Sequence, residues 1–305
     1  MTLPLLVYAK DSLIISIDGG GFAEIGTMKL DPESGLETSR RYFTNQVKHF
    51  KFDFSFLPVL LVSGSLWASE PDRPDRLRSI SSRIPVLKEH LRSRTITNLP
   101  QFTEELIEFA QLDLWGVNGS GIDFFISGLV KTGGRDRFTT LVVNLAGGVA
   151  STPTQIIYGL DRRFQDETFI HWTFPCSTDQ QKYFPDQEFM TQVMFYQFRP
   201  KDWEVSFPSI IKDLDIYHGY IKAYLRKVHA AVVPPRLPTS QEALFFSAAV
   251  QSAAITLSST HSGIAPEGPI KPVEAPITLY SLNARKGTLS LISELQLPMA
   301  LRKYL

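Results

Sequence analysis

Ser12-Leu13-Ile14-Ile15-Ser16-Ile17-Asp18-Gly19-Gly20-Gly21 leads into Phe22 to Leu30, then Asp31-Pro32-Glu33-Ser34-Gly35, then Leu36 to Phe43. Short β-branched and apolar runs separated by Gly, Asp and Pro read as strands joined by turns. The stretch therefore predicts a three-stranded antiparallel meander. Upstream, Met1 to Ala9 is apolar but lacks a basic leader and runs into Lys10 and Asp11, so it reads as a further strand rather than a signal peptide.

Downstream, Phe50 to Trp67 is a dense apolar stretch, read as one strand and a buried loop. Ser69 to Arg94 is charged and carries Pro71, Pro74 and Pro85, which predicts that any helix there is interrupted. Asn98 ahead of Leu99-Pro100-Gln101 marks a helix start, with Asn as N-cap and Phe102, Leu106 and Phe109 on one face. Leu112 to Trp115 reads as a short strand and Val117 to Gly121 as a turn. A second helix is predicted over Asp123 to Val130, ended by Gly133-Gly134. Phe138 to Leu145 is strand-like, closed by Gly147-Gly148.

The second half is aromatic and strand-like at Phe169 to Phe174 and Phe189 to Phe198. Pro208 opens an amphipathic helix whose stripe runs from Ile210 to Val228. Thr239 and Glu242 form a capping-box pattern ahead of a small-residue helix over Ala243 to Leu257. Ser258 to Pro276 is a connector, and Ile277 to Leu305 adds one hairpin. The fold class is mixed α/β, in segments 1–165, 166–257 and 258–305, the second an α+β region.

Composition narrows the function classes. At 43% hydrophobic and 20% charged, the 305 residues have the balance of a chain that buries a core. Lys plus Arg equals Asp plus Glu at 31 each, so no net field draws the molecule to nucleic acid or anionic lipid. Cys176 is the one cysteine, which excludes an intrachain disulfide and a cysteine-based zinc cluster. The expected setting is cytoplasmic or nuclear, or a virion, and not secreted. No apolar run approaches the ~20 residues of a membrane helix.

Two segments resemble, in the right order, the DEDD-type 3'-to-5' exonucleases with their RNase H-like core. Asp18 occupies the first acidic position, and Phe22 to Leu30 with Leu36 to Phe43 stands where that family has a hairpin. Trp115-Gly116-Val117-Asn118-Gly119-Ser120-Gly121-Ile122-Asp123 is similar to its second motif, in which an aspartate follows an Asn-Gly turn at a helix start. The resemblance implies a degenerate RNase H-like domain over 1–165 and, if chemistry survives, two Mg²⁺ or Mn²⁺ ions held by converging carboxylates. The metal candidates are Asp18, Glu24 and Asp123. The pattern is eroded, however. Gly20 replaces the second acid of the first motif, and no His stands at the third motif, where Ile157 to Arg162 falls.

Other signals lead nowhere catalytic. Asp18-Gly19-Gly20-Gly21 is also similar to the oxyanion loop of patatin-like lipases, but no Gly-x-Ser-x-Gly elbow follows. The six histidines show no ligand spacing. Arginine clusters at Arg40-Arg41, Arg73 to Arg83 and Arg135 to Arg137 are interleaved with acids and read as solvated faces, though a nucleic-acid contact is open to them. The sequence reading is a non-catalytic structural or interaction protein, a subunit of a larger assembly, viral in one version, with protein partners or self-assembly and no cofactor. The alternative is a metal-dependent exonuclease.

Overall fold

The structure, a computed structural model, describes residues 4–19, 21–29, 36–43, 46–70, 73–116, 121–158, 167–168, 170–172, 238–244, 247–248, 251 and 276–295. The strand expected at 189–198 and the helix expected from Pro208 lie outside them, as do most of the 117–121 turn and the 258–276 connector.

In chain order the elements are β1 (Leu5–Tyr8), β2 (Ser12–Asp18), β3 (Gly21–Lys29), β4 (Leu36–Phe43), β5 (His49–Lys51), β6 (Val59–Gly64), β7 (Trp67–Glu70) and β8 (Arg73–Ser79). Helices α1 (Ile80–Arg92) and α2 (Leu99–Asp113) follow. Then come β9 (Trp115–Gly116), β10 (Ile122–Thr132), β11 (Arg135–Ala146), β12 (Val149–Ala150), β13 (Thr154–Tyr158), β14 (Glu167–Thr168), β15 (Ile170–Trp172), β16 (Ile277–Asn283) and β17 (Thr288–Leu295). The class is mixed α/β, with mostly antiparallel sheets.

Two sheets dominate. A five-stranded one has the order β15-β1-β2-β16-β17, and a seven-stranded one runs β14-β13-β11-β10-β6-β5 with β12 paired to β11. The five-stranded sheet is assembled from distant parts of the chain: Leu5 pairs with Ser16 and with Trp172, while Asp18 pairs with Ile277. The predicted meander is corrected here. Its strands form where expected, but β2 is flanked on both edges by β1 and β16, so β3 and β4 pair with each other as a separate ribbon.

The sheets pack face to face. Leu6, Leu13, Ile15, Ile17, Tyr280 and Leu282 from one meet Val59, Leu61, Phe125, Leu129, Phe138 and Tyr158 from the other. The opposite face of the seven-stranded sheet, through Leu60, Val62, Phe124, Ile126 and Val143, receives Ile84, Leu87 and Leu91 of α1 and Phe102, Leu106 and Phe109 of α2. β6 and β10 are thus apolar on both faces. That explains the second correction: Asp123 to Val130 is part of a strand, not a helix, because a run buried on both sides loses the alternation that would identify it. Gly133 and Gly134, at φ +58° and +76°, make the tight turn between β10 and β11 rather than a helix end. Gly128 lets α2 lie close to the sheet, since a Cβ there would stand 2.9 Å from Leu99 Cδ1 and 3.0 Å from Phe56 O.

Helix α1 is a third correction, because Pro85 lies inside an uninterrupted helix capped by Ser79. Ser81, whose carbonyl loses its donor, and Pro85 are both exposed, so water can take that carbonyl. Asn98 caps α2 as expected, its Oδ1 accepting from Gln101 N at 2.9 Å. α2 runs on through Asp113, leaving Trp115–Gly116 as the short strand.

Outside the five-stranded sheet, the Thr239–Glu242 capping box forms: Glu242 N donates to Thr239 Oγ1 at 3.2 Å and Thr239 N to Glu242 Oε2 at 2.7 Å. Residues 240–244, 247–248 and 251 are helical, and Ala243, Ser247 and Gln251 are buried at one-turn spacing. Gln251 Nε2 donates to Ser16 Oγ at 3.3 Å, and Ser240 Oγ meets Ser12 Oγ at 2.7 Å. The layers are therefore helix, sheet, sheet and helices. Ile277 to Leu295 forms the expected hairpin. No helix among the described residues is long and apolar enough to cross a membrane.

Candidate functional site

Asp18 closes β2, opposite Ile277. Its carboxylate accepts from Lys48 Nζ at 2.9 Å, and both side chains have 0% exposure. The segment before β5 carries Lys48 to this place. Gln46 N donates to Gly19 O at 2.8 Å, and Val62 N donates to Lys48 O at 2.8 Å. Residues 46–48 thus tie the end of β2 in one sheet to β6 in the other. Gly19 is needed there, because a Cβ would lie 2.6 Å from Pro276 Cδ.

Beyond the pair, the His49 ring meets Tyr280 edge-on with centroids 5.1 Å apart, and Lys51 Nζ sits 4.9 Å from the Tyr280 centroid. Burial, and secondarily the Lys51 charge, push the His49 imidazole down to about 4, so it is neutral at physiological pH.

Asp123 is the second residue of β10, between Ser63 of β6 and Asn144 of β11. Asn144 Nδ2 donates to Asp123 Oδ1 at 2.8 Å, and Asn144 is anchored by Ser151, whose N–H donates to Asn144 O at 2.7 Å. Gly121 leaves room for that amide, as a Cβ there would lie 2.7 Å from Asn144 Nδ2.

Strand alternation separates the two carboxylates. Leu13, Ile15 and Ile17 of β2 face the inter-sheet core, which sets Asp18 on the other face with Ser12 and Ser16. Phe125 and Leu129 of β10 face that core, and Asp123 shares their side. Glu24, the third candidate, stands on β3 in register with Arg40 of β4, and its side chain is outside the described residues. Among the described residues, no three His, Cys, Asp or Glu side chains are grouped to hold a metal ion.

Sequence reasoning missed Lys48. In Gln46-Val47-Lys48-His49-Phe50 a lysine looks solvated, and no local pattern pairs it with an aspartate thirty positions earlier. An aspartate alone at the end of an apolar strand was the available hint, since a buried carboxylate needs a cation.

No family model and no curated protein sequence matches the chain. Among solved structures it is similar to the Gly-1 mutant of Anbu from Hyphomicrobium sp. strain MC1, at 9% identity and a TM-score of 0.43, over 100% of this chain and 96% of that one.

Proposed function

We propose that this chain is a non-catalytic structural or interaction protein that works as a subunit of a larger assembly. The observation that carries this reading is β17, the last strand of the five-stranded sheet among the described residues, which exposes Leu291 and Ile292 side by side at 47% and 44%. Adjoining exposed apolar side chains on a strand favour association. A net charge of zero adds no repulsion between chains.

The exonuclease alternative is disfavoured by the charge already placed at its site. The Lys48 ammonium holds the Asp18 carboxylate where a metal would have to bind, and Asp123 is engaged by Asn144 on the other side of a sheet. In this proposal the exonuclease-like segments at 18 and 123 are scaffold.

Size measurement tests the reading. The tagged full chain should migrate above monomer mass when purified and concentrated, or in native extract. Monomeric behaviour in both settings overturns it. Titration calorimetry with Mn²⁺ tests the alternative, and saturable binding by the wild type that is lost in Asp123→Ala would favour the nuclease.

A further inference from the structure

We infer that three turns at one end of the sandwich form a basic surface for the phosphate backbone of a nucleic-acid duplex. This goes beyond the assembly reading and does not depend on it. In the five-stranded sheet β1 turns into β2 at residues 9–12, where Ala9 N donates to Ser12 O at 2.7 Å. Ser12 lies opposite Asn283, so the turn between β16 and β17 stands beside it, and Arg285 meets Asp11 at 2.9 Å. The seven-stranded sheet adds the turn between β10 and β11, where Thr132 pairs with Arg135. Tyr8 of β1 packs edge-on against Phe138 of β11 with centroids 5.7 Å apart, which brings that turn to the same end. Burial pushes the pKa of Tyr8 up, and the charges of Arg137 and Asp11 act on it in opposite directions, so both turns lie within electrostatic reach of one side chain.

These turns hold six cations, Lys10, Lys131, Arg135, Arg137, Arg285 and Lys286, against two carboxylates, Asp11 and Asp136. All of the cations except the half-buried Arg137 are exposed. The balance of 31 cations and 31 acids over the whole chain therefore conceals a local surplus. Stacked sheets lie ~10 Å apart, about one Debye length, so the cations of both act on a polyanion together. The remaining exposed residues select the partner: they are Thr132, Gly133, Gly134, Gly287 and Thr288. A protein interface draws its energy from aromatic and aliphatic anchors, which these residues do not supply. A single strand binds by stacking its bases on open rings, whereas Tyr8 is half-buried against Phe138. Duplex phosphates need only cations and N–H donors, and exposed Lys and Arg side chains provide both.

Fluorescence anisotropy of the full-length chain with a short labelled DNA duplex of mixed sequence tests this. Wild-type affinity should fall with salt along a log–log slope of about −3 to −4, the value for roughly four phosphate contacts. Arg135→Ala should weaken binding several-fold and reduce that slope by about 1, alike for unrelated sequences. Lys286→Ala, in the other sheet, should act the same way, so that damage to a single turn cannot mimic the effect. The control is Arg83→Met, which removes one cation beside Asp113. The start of α2 lies toward the β10–β11 turn, with Leu99 against Gly128, and Asp113 is a helix length farther away. Arg83→Met should therefore leave duplex affinity unchanged. No binding by the wild type at low salt overturns the proposal, as does an equal loss in Arg135→Ala and Arg83→Met. Tighter binding of the single strand than of the duplex overturns it in favour of a stacking surface. Displacement of the duplex by polyglutamate at equal charge overturns it in favour of an acidic protein partner.

Discussion

Two acid–base contacts in this molecule use the same chemistry at opposite depths. Asp18 and Lys48 are fully buried at 2.9 Å. Asp113, at the C-terminal end of α2, is forked by Arg83 of α1 through Nε and Nη2, with Arg78 of β8 at 3.6 Å, and these groups keep between 18% and 33% exposure. Water still reaches the second cluster, so breaking it returns each charge to solvent. Around Asp18 water is excluded, so removing one member takes the counter-charge from a group held in a dry interior. The first contact is thus costly to break although it adds little net stability as a pair.

Lys48→Met breaks the comparison most severely. It should cost roughly 3–5 kcal/mol, because a buried carboxylate loses the ammonium placed against it. Adding Asp18→Asn removes that carboxylate and should recover much of that loss, giving a strong coupling in a double-mutant cycle of urea unfolding. Additive losses in the two single variants would show that water reaches the site.

The contrast also marks what could be read before the fold was known. Signals that act within a few residues were legible: the Asn98 cap, the Thr239–Glu242 box, the glycine pair at 147–148 and the hairpin after Ile277 all form. What failed depends on contacts made far along the chain. β10 hides its period because both faces are buried, and Pro85 is tolerated because Ser81, whose carbonyl it orphans, is exposed. β2 leaves the meander because strands from the N-terminus and from position 277 take its edges. At the candidate site Asp18 and Asp123 were legible as unusual carboxylates. Their actual partners, Lys48 and Asn144, were not, since one arrives from the segment before β5 and the other across the β10–β11 pairing, and no local spacing encodes either.

His49 sharpens the comparison next. It neighbours Lys48, and burial, followed by the like-signed charge of Lys51, holds its imidazole neutral. Its folded value of about 4 lies below the unfolded 6.5, so the unfolded chain binds the extra proton between those pH values. Stability from this group is therefore complete above about pH 6.5, falls as pH drops toward 4, and changes no further below that. The loss should be on the order of 2–3 kcal/mol. His49→Phe keeps a ring against Tyr280 and should flatten this part of the pH profile in urea melts. An unchanged profile would place the imidazole in solvent.

Arg83→Met is the mildest test. A forked guanidinium–carboxylate contact has good geometry, but its partial exposure lets solvent screen both charges, and Arg78 remains beside Asp113 when Arg83 is removed. The substitution should cost about 1 kcal/mol or less, and the cost should shrink further in high salt. The methionine stem retains part of the packing between α1 and α2. Salt dependence separates the two contacts more cleanly than size does, because the Lys48→Met loss arises inside the protein, where ions do not reach, and should stay constant across the same salt series. If the Arg83→Met loss matched that of Lys48→Met and resisted salt, the Asp113 cluster would be dry in solution and depth would no longer distinguish the two pairs.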